Sequence, residues 1–592
     1  MASHAGWKYV IKTTKGYINE KGELVDDIKD AKIIYGLEFG FSTPLQSIRK
    51  LTNKDHKLQE EDVEYYTLEP SYDSRLWEIE HLLMEKGIDY RTSTNISANI
   101  FNSNQLYNYD NYLEYIKNLN DNIIKYYEDN NVSYKTICFN DSKIKIYESN
   151  LSKNSKNETN KKLYRSKEGD IWEYSINLKN PNVEKYFNLS KEEQDYFNNW
   201  QNNGIEDYII NKLKENNKVF NKFDDINIYD VKINHDKLNI YSNKQNKELI
   251  KFINEIIREF YSDKEMHITR MFGAYIIIQK INGELKAVKA TPIPIKHCPL
   301  MIKLLKEVGG DYAIELIESL KTENKEKQSQ NMCKLIDEVV IKGGYFDTNR
   351  PLNSCEANVL FGASETMSSA LKNGLIDAAV IVSNNLGTII TTNESNTQGA
   401  VKRMTGLFYT SPSKEIVDTA IESDIIPVFP YTADIDQLKG VKEAIKRGYK
   451  KIAVSVAAND NYLHEELKKL ENKDIKIYKF GLCSTGIDEK TATIMKDNSD
   501  VVWSCASKYV KELIEPNAIA QVGIKIPVHI MTKDGWEIIK NHLEELNSEI
   551  KEQEITLSKG EEKPIFLNSN STIKVLPKKK ILKCTDCPHP CV

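Results

Sequence analysis

Asp377-Ala-Ala-Val-Ile-Val382, Ile425-Ile-Pro-Val-Phe429, Lys451-Ile-Ala-Val-Ser-Val456, Ile475-Lys-Ile-Tyr-Lys-Phe480, Asp500-Val-Val-Trp-Ser504 and Ile526-Pro-Val-His-Ile-Met531 are short apolar runs, separated by polar loops and helical patterns. Runs of this length read as buried strands. Their alternation with helices predicts an α/β fold, an open and mostly parallel sheet with flanking helices in the C-terminal half. In such sheets ligands bind outside the carboxyl ends of the strands. Four loops carry the hydrogen-bonding groups expected there: Ser383 to Thr388, Tyr431 to Gln437, Gly481 to Gly486 and Ser504 to Lys508.

Outward from this core, an α+β N-terminal region is expected over residues 1–160. A mainly helical connecting region follows over 161–270, then the α/β domain over 271–546 and a charged tail over 547–592. The first 265 residues are rich in Asn, Lys, Tyr and Ile, and Lys153 to Lys162 reads as a linker or an exposed loop because it has almost nothing apolar to bury. Lys247 to Phe260 places Leu249, Ile250, Phe252, Ile253, Ile256, Ile257 and Phe260 on one helical face. Asn282-Gly283 supplies a tight turn for a hairpin over Tyr275 to Ala290. A helical period over Asn358 to Asn373 stops at Gly374.

The chain has 592 residues, too many for one ordinary core, and 81 basic against 86 acidic side chains leave a net charge of -5. That balance gives no whole-protein field for nucleic acid. No apolar run is long enough to span a bilayer, and the amino terminus lacks a secretory pattern, so a cytoplasmic protein without membrane contact is expected. Nine cysteines are too sparse for a disulfide scaffold.

Several residues have the chemistry for a site. Gly387, Thr388, Gln398 and Arg403 suit a carboxylate or phosphate, through backbone approach, hydroxyl and amide donors and a guanidinium. The alternative is ordinary turn chemistry, and neither a dinucleotide fingerprint nor a phosphate-binding nucleotide loop is present. Asp434 and Asp436 precede a helix starting near Gln437, where one would cap it and the other serve as a base or hold a cation. Gln437, Ser484, Thr485, Ser504 and Lys508 complete the ligand set. Cys483 and Cys505 sit at strand ends ahead of helices, where the helix dipole, and Lys508 in the case of Cys505, favour a thiolate nucleophile; a buried structural cysteine is the alternative. His529 reads as core, while spacing assigns no role to Cys355 or Glu365. Cys584, Cys587 and Cys591, with His589 between the last two, offer ligands for zinc or three corners of an iron-sulfur cluster; a redox thiol pair or a metal-free tail are the alternatives.

From about Ile276 to Leu546 the chain resembles the methanogenesis marker protein 8 family of methanogenic archaea. The resemblance is carried by Lys296-His-Cys-Pro-Leu300, Phe361-Gly-Ala-Ser-Glu365, Gln398-Gly with Arg403-Met-Thr-Gly-Leu407, Thr432-Ala-Asp-Ile-Asp-Gln437, Ser484-Thr-Gly486 and Ser504-Cys-Ala-Ser-Lys508. It departs from the family pattern at Asn385-Leu-Gly-Thr388 and Gly399-Ala-Val-Lys-Arg403, which hold fewer glycines. The resemblance implies a role near methane metabolism, in cofactor formation or in maturation of methyl-coenzyme M reductase. The residues themselves support binding of a small anionic metabolite. A metal-binding maturation factor and an interaction protein engaging a partner chain without any ligand are the alternatives.

Overall fold

The computed structural model describes residues 8–13, 15–19, 21, 23–31, 34–35, 63–67, 119–139, 142–148, 161–215, 226–234, 236–244, 246–294, 299–322, 324–357, 359–401, 406–504, 507–523, 526–569 and 572–576. The chain divides into two compact units, one of Met1–Leu178 with Glu206–Phe252, the other of Lys179–Ile205 with Ile253–Val592. These units do not follow the expected boundaries at 160 and 270. The stretch expected to be mainly helical contains the strands Lys161–Ser166, Gly169–Asn177, Ile228–Asn234 and Lys237–Ser242.

In the first unit those strands join Ser142–Glu148 and Lys135–Phe139 in an antiparallel six-stranded sheet. Its interior holds the ion pair of Arg165 and Asp170 at 2.6 Å. The helix Lys247–Asp263, which begins in this unit and continues into the second, forms as its period predicts; Leu249, Ile253, Ile256, Ile257 and Phe260 are buried, while Ile250 and Phe252 are half-buried.

The second unit contains two sheets. Its strands, in chain order, are β1 (Met266–Met271), β2 (Ala274–Ile281), β3 (Glu284–Ala290), β4 (Ala378–Ser383), β5 (Gly387–Thr391), β6 (Gly406–Thr410), β7 (Ile426–Pro427) and β8 (Lys451–Ala457). They continue with β9 (Lys476–Leu482), β10 (Val501–Trp503), β11 (Ala520–Val522), β12 (Val528–Ile530), β13 (Ile565–Ser569) and β14 (Thr572–Leu576). The smaller sheet is antiparallel, in the order β3-β2-β1-β6. Asn282 at φ 52° and Gly283 at φ 84° make its predicted tight turn. The larger sheet has ten strands, in the order β7-β5-β4-β8-β9-β10-β12-β11-β13-β14.

The α/β class is as expected, but the sheet is mixed and not mostly parallel. Only β4, β8, β9 and β10 form a continuous parallel block, with β11 and β13 a further parallel pair. The run at Ile425–Phe429 supplies a two-residue antiparallel edge, and that at Ile526–Met531 runs antiparallel to β10. The sequence pattern also passes over β5, which begins inside what reads as a ligand loop and runs on to Thr391, and over β13 and β14 in the charged tail. Apolar runs reveal burial, whereas strand direction depends on how each connection returns.

The parallel block is covered on both faces. Ala379 and Ile381 enter one core with Phe480, Val501 and Trp536, while Ala378 and Val380 enter another with Val441, Ile452 and Val454. This period-two division explains why β4 is apolar at successive positions: each face needs its own half of the strand.

Candidate functional site

The carboxyl end of β4 turns directly into β5, pairing Ser383 with Gly387. Asn385 at φ 62° and Gly387 at φ 63° allow this hairpin. A Cβ on Gly387 would lie 2.3 Å from the Ala433 carbonyl oxygen and 2.4 Å from that of Asp434. The glycine therefore admits the protein's own Tyr431–Gln437 loop.

The turn is the centre of a buried polar network. Asn385 Nδ2 donates to Glu265 Oε1 at 2.7 Å and to the Ser411 carbonyl at 3.2 Å, while its backbone N–H donates to Thr410 Oγ1 at 2.9 Å. The His267 ring bridges the same groups, with Nε2 2.9 Å from Glu265 Oε1 and Nδ1 2.8 Å from Thr410 Oγ1. Burial works to raise the Glu265 carboxyl pKa, but bonding to His267 and Asn385 outweighs it and holds the group below the usual range. Gln201 extends the chain by donating to Ser411 Oγ at 2.5 Å and accepting from the Tyr409 hydroxyl. Lys179 Nζ lies 4.7 Å from the centre of the Tyr409 ring and donates to Asp434 Oδ1 at 2.9 Å. Desolvation lowers the Lys179 pKa against the attraction of that carboxylate.

Two guanidinium groups brace the strand ends. Arg350 is buried and donates to the carbonyls of Asp347 and Asn384 and to Ser383 Oγ; desolvation lowers its pKa to about 10. Arg270, half-buried on β1, donates to the carbonyls of Gly273 at 3.3 Å, Cys483 at 2.8 Å and Thr485 at 2.6 Å. It also lies 5.0 Å from the centre of the Tyr275 ring. Among the described residues, neither arginine has a carboxylate within ion-pair distance. Beside Arg270, Tyr275 OH accepts from Asn459 in the short turn Ala458–Asp460 that follows β8, and the next residue, Asp460, is a carboxyl whose pKa burial raises while Lys185 opposes.

The predicted ligand residues are dispersed along this crest. Thr388 Oγ1 accepts from the backbone of Asp436, and Asp436 Oδ1 accepts from the backbone N–H of Lys439 at 2.9 Å, capping the helix Gln437–Lys446. Gln437 is buried and donates to the Ser455 carbonyl. Gln398 donates to Glu365 Oε1 and to the Glu356 carbonyl, each at 3.1 Å. Ser484 donates to the Trp503 carbonyl at 2.9 Å, Thr485 is held through its backbone by Arg270, and Lys508 is exposed 5.5 Å over the Tyr509 ring. Four buried oxygens, Asn384 Oδ1, Asn385 Oδ1, Gln398 Oε1 and Ser504 Oγ, have no partner among the described residues. Arg403, Cys505, Cys584, Cys587, His589 and Cys591 lie outside the described residues. No group of acidic, His and Cys side chains among the described residues is arranged to hold a metal. Nor is any described helix long and apolar enough to cross a membrane.

A family described as an uncharacterized protein conserved in archaea (DUF2099) matches residues 267–544. Uncharacterized protein MJ0054 of Methanocaldococcus jannaschii is 35% identical over 284 residues, which are 48% of this chain and 92% of that protein. The chain belongs to this archaeal family.

The family region begins at His267, yet its buried network is completed from outside it by Lys179, Gln201 and Glu265. Sequence reading misses all three, along with Arg270 and Arg350. Lys179 follows the strand Gly169–Asn177 and Gln201 the helix Lys191–Trp200, both outside the run of strands that reads as the sheet, and Arg270 sits within a strand of the smaller sheet. The alternation between Asp377 and Met531 contains no sign of these partners.

Proposed function

We propose that this archaeal protein binds a small anionic metabolite over the carboxyl ends of the parallel strands, beside Arg270, Tyr275, Asp460 and Thr485. The observation that supports this most is Arg270 itself. Its guanidinium is partly removed from water and bonded to carbonyl oxygens, which accept its hydrogens without cancelling its charge. A carboxylate or phosphate would supply the missing counter-charge, and guanidinium suits either. The three unpartnered oxygens that follow strands, Asn384 Oδ1, Asn385 Oδ1 and Ser504 Oγ, favour a ligand that also brings hydroxyl, amide or amine donors, or water that does so. The source of the relative and the resemblance to a methanogen family favour a metabolite or cofactor precursor of methanogenesis.

A thermal-shift screen of phosphorylated and carboxylate metabolites against the wild type and Arg270→Gln tests this reading. Selective stabilisation of the wild type is expected. The reading fails if no anion stabilises the wild type, or if the variant responds equally. Mass analysis of small molecules retained through native purification would identify the compound.

The second reading, a maturation factor holding zinc or an iron-sulfur cluster, draws on the tail Cys584-x-x-Cys587-x-His589-x-Cys591. Anaerobic purification, metal analysis and absorption spectra of the full chain and of a variant ending before Cys584 test it. A metal-free full chain ends that reading.

A further inference from the structure

The ten-stranded sheet ends at β7, and a groove of about 360 Å³ lies along that edge. Residues 426–429 line one side, and the helix Gln437–Lys446 with the residue after it presents Lys439, Lys442, Glu443, Lys446 and Arg447 on the other. Positions 439, 442 and 446 follow helical i, i+3, i+7 spacing and form one stripe. Four cations thus meet one carboxylate. Glu443 is engaged by Arg447 Nε at 2.8 Å and Lys446 Nζ at 3.9 Å. Lys439 lies 3.6 Å from Asp436 and 5.4 Å from the Phe429 ring centre. Lys442 has no ion-pair partner among the described residues, so positive charge remains after the internal pairs are drawn.

The same edge resists addition of a strand. Pro427 has no N–H, and the Val428 N–H is spent inward on the Thr388 carbonyl at 3.0 Å. A partner must therefore bind through side chains and shape. The volume is near the lower end of small-ligand pockets, about 300–1,000 Å³, and half-exposed Val428 and Phe429 provide an apolar floor.

We propose that this groove is a second ligand site, separate from Arg270, for a compact organic polyanion. Its apolar or planar body rests on Val428 and Phe429, and its carboxylate or phosphate groups face Lys442 and Lys446. The competing account is that the lysines and proline merely guard a sheet edge against aggregation.

Calorimetric titration of the full chain at low salt with ATP, citrate and inorganic pyrophosphate separates the two accounts. The expected result is saturable binding of ATP or citrate, weakened roughly tenfold or more by the double variant K442E/K446E, as expected when attraction becomes repulsion. Phe429→Ala should weaken the organic probe and leave pyrophosphate unchanged. Arg270→Gln should leave binding intact, so failure of the crest reading would not remove this one. The proposal is overturned if no probe saturates the wild type, or if the charge-reversed variant, shown by circular dichroism to be folded, binds as tightly. It is also overturned if polyglutamate binds while ATP and citrate do not, or if charge reversal causes only aggregation.

Discussion

The turn at Ser383–Gly387 and the groove beside Ile426–Phe429 are both rich in hydrogen-bonding or charged groups, yet they use them oppositely. At the turn, donors and charges are consumed within the protein: Asn385 serves Glu265, Thr410 serves both His267 and Asn385, and Gly387 makes room for Asp434. In the groove, charge remains after every ion pair has formed. A polar residue at a strand end therefore reveals a need for a partner without revealing whether that partner is foreign. At the turn an unpaired buried polar group costs about 1–3 kcal/mol, so its donors are met within the protein, while the side-chain oxygens of Asn384 and Asn385 are left for a ligand or water.

The sharpest way to break the comparison is Gly387→Ala. The new methyl group would meet two carbonyl oxygens, and the backbone would be held at positive φ. A loss of roughly 3 kcal/mol or more in urea unfolding is expected, because neither carbonyl belongs to a flexible side chain. A loss below 1 kcal/mol would show that the Tyr431–Gln437 loop yields, and that this glycine is free to serve a ligand.

Acid unfolding probes burial without a full set of partners elsewhere in the second unit. His464 is fully buried against Ser499, and desolvation first, then the Lys479 charge, lowers its pKa from 6.5 to about 4. Between those values the unfolded chain binds a proton that the folded chain excludes, so stability rises with pH through the window and falls on acidification. The single-site effect is roughly 3 kcal/mol. Urea midpoints measured from pH 7 to pH 4 should show it, and His464→Gln should flatten that part of the profile. An unchanged profile would mean that His464 is solvated.

Asn385→Gly separates the side chain from the backbone, since glycine keeps the positive φ while removing the donor to Glu265. A loss of about 2 kcal/mol is expected from chemical denaturation, that of a charge-assisted hydrogen bond in a buried setting. A neutral result would indicate that His267 alone satisfies the carboxylate.

These residues also mark how far the sequence can be read. The apolar runs identify β4, β8, β9 and β10 because burial on both faces demands them, and Asn282-Gly283 identifies its hairpin because the turn requires positive φ. Direction is hidden: Ile425–Phe429 and Ile526–Met531 have the same apolar texture as the parallel strands. The polar loops were visible at Ser383–Thr388 and Gly481–Gly486, but Glu265, Arg270 and Gln201 come from other parts of the chain, and their approach is a property of tertiary packing. Asp436 shows the limit at one residue, since its carboxylate caps a helix by a local signal that equally fits a cation or a base.

The smallest effect is the most discriminating for the groove. Lys442→Gln removes an exposed charge that has no ion-pair partner among the described residues, so its cost in urea unfolding should stay within about 0.5 kcal/mol. Asn385, by contrast, spends its donors on the fold. If Lys442→Gln stabilises the chain slightly, relief of repulsion from Lys439 and Lys446 explains the gain, and the groove carries the electrostatic strain of assembled like charges. If it destabilises the chain by more than 1 kcal/mol, Lys442 has a structural partner, and the contrast between a turn whose donors are spent on the fold and a groove with charge left over fails at the residue on which it most depends.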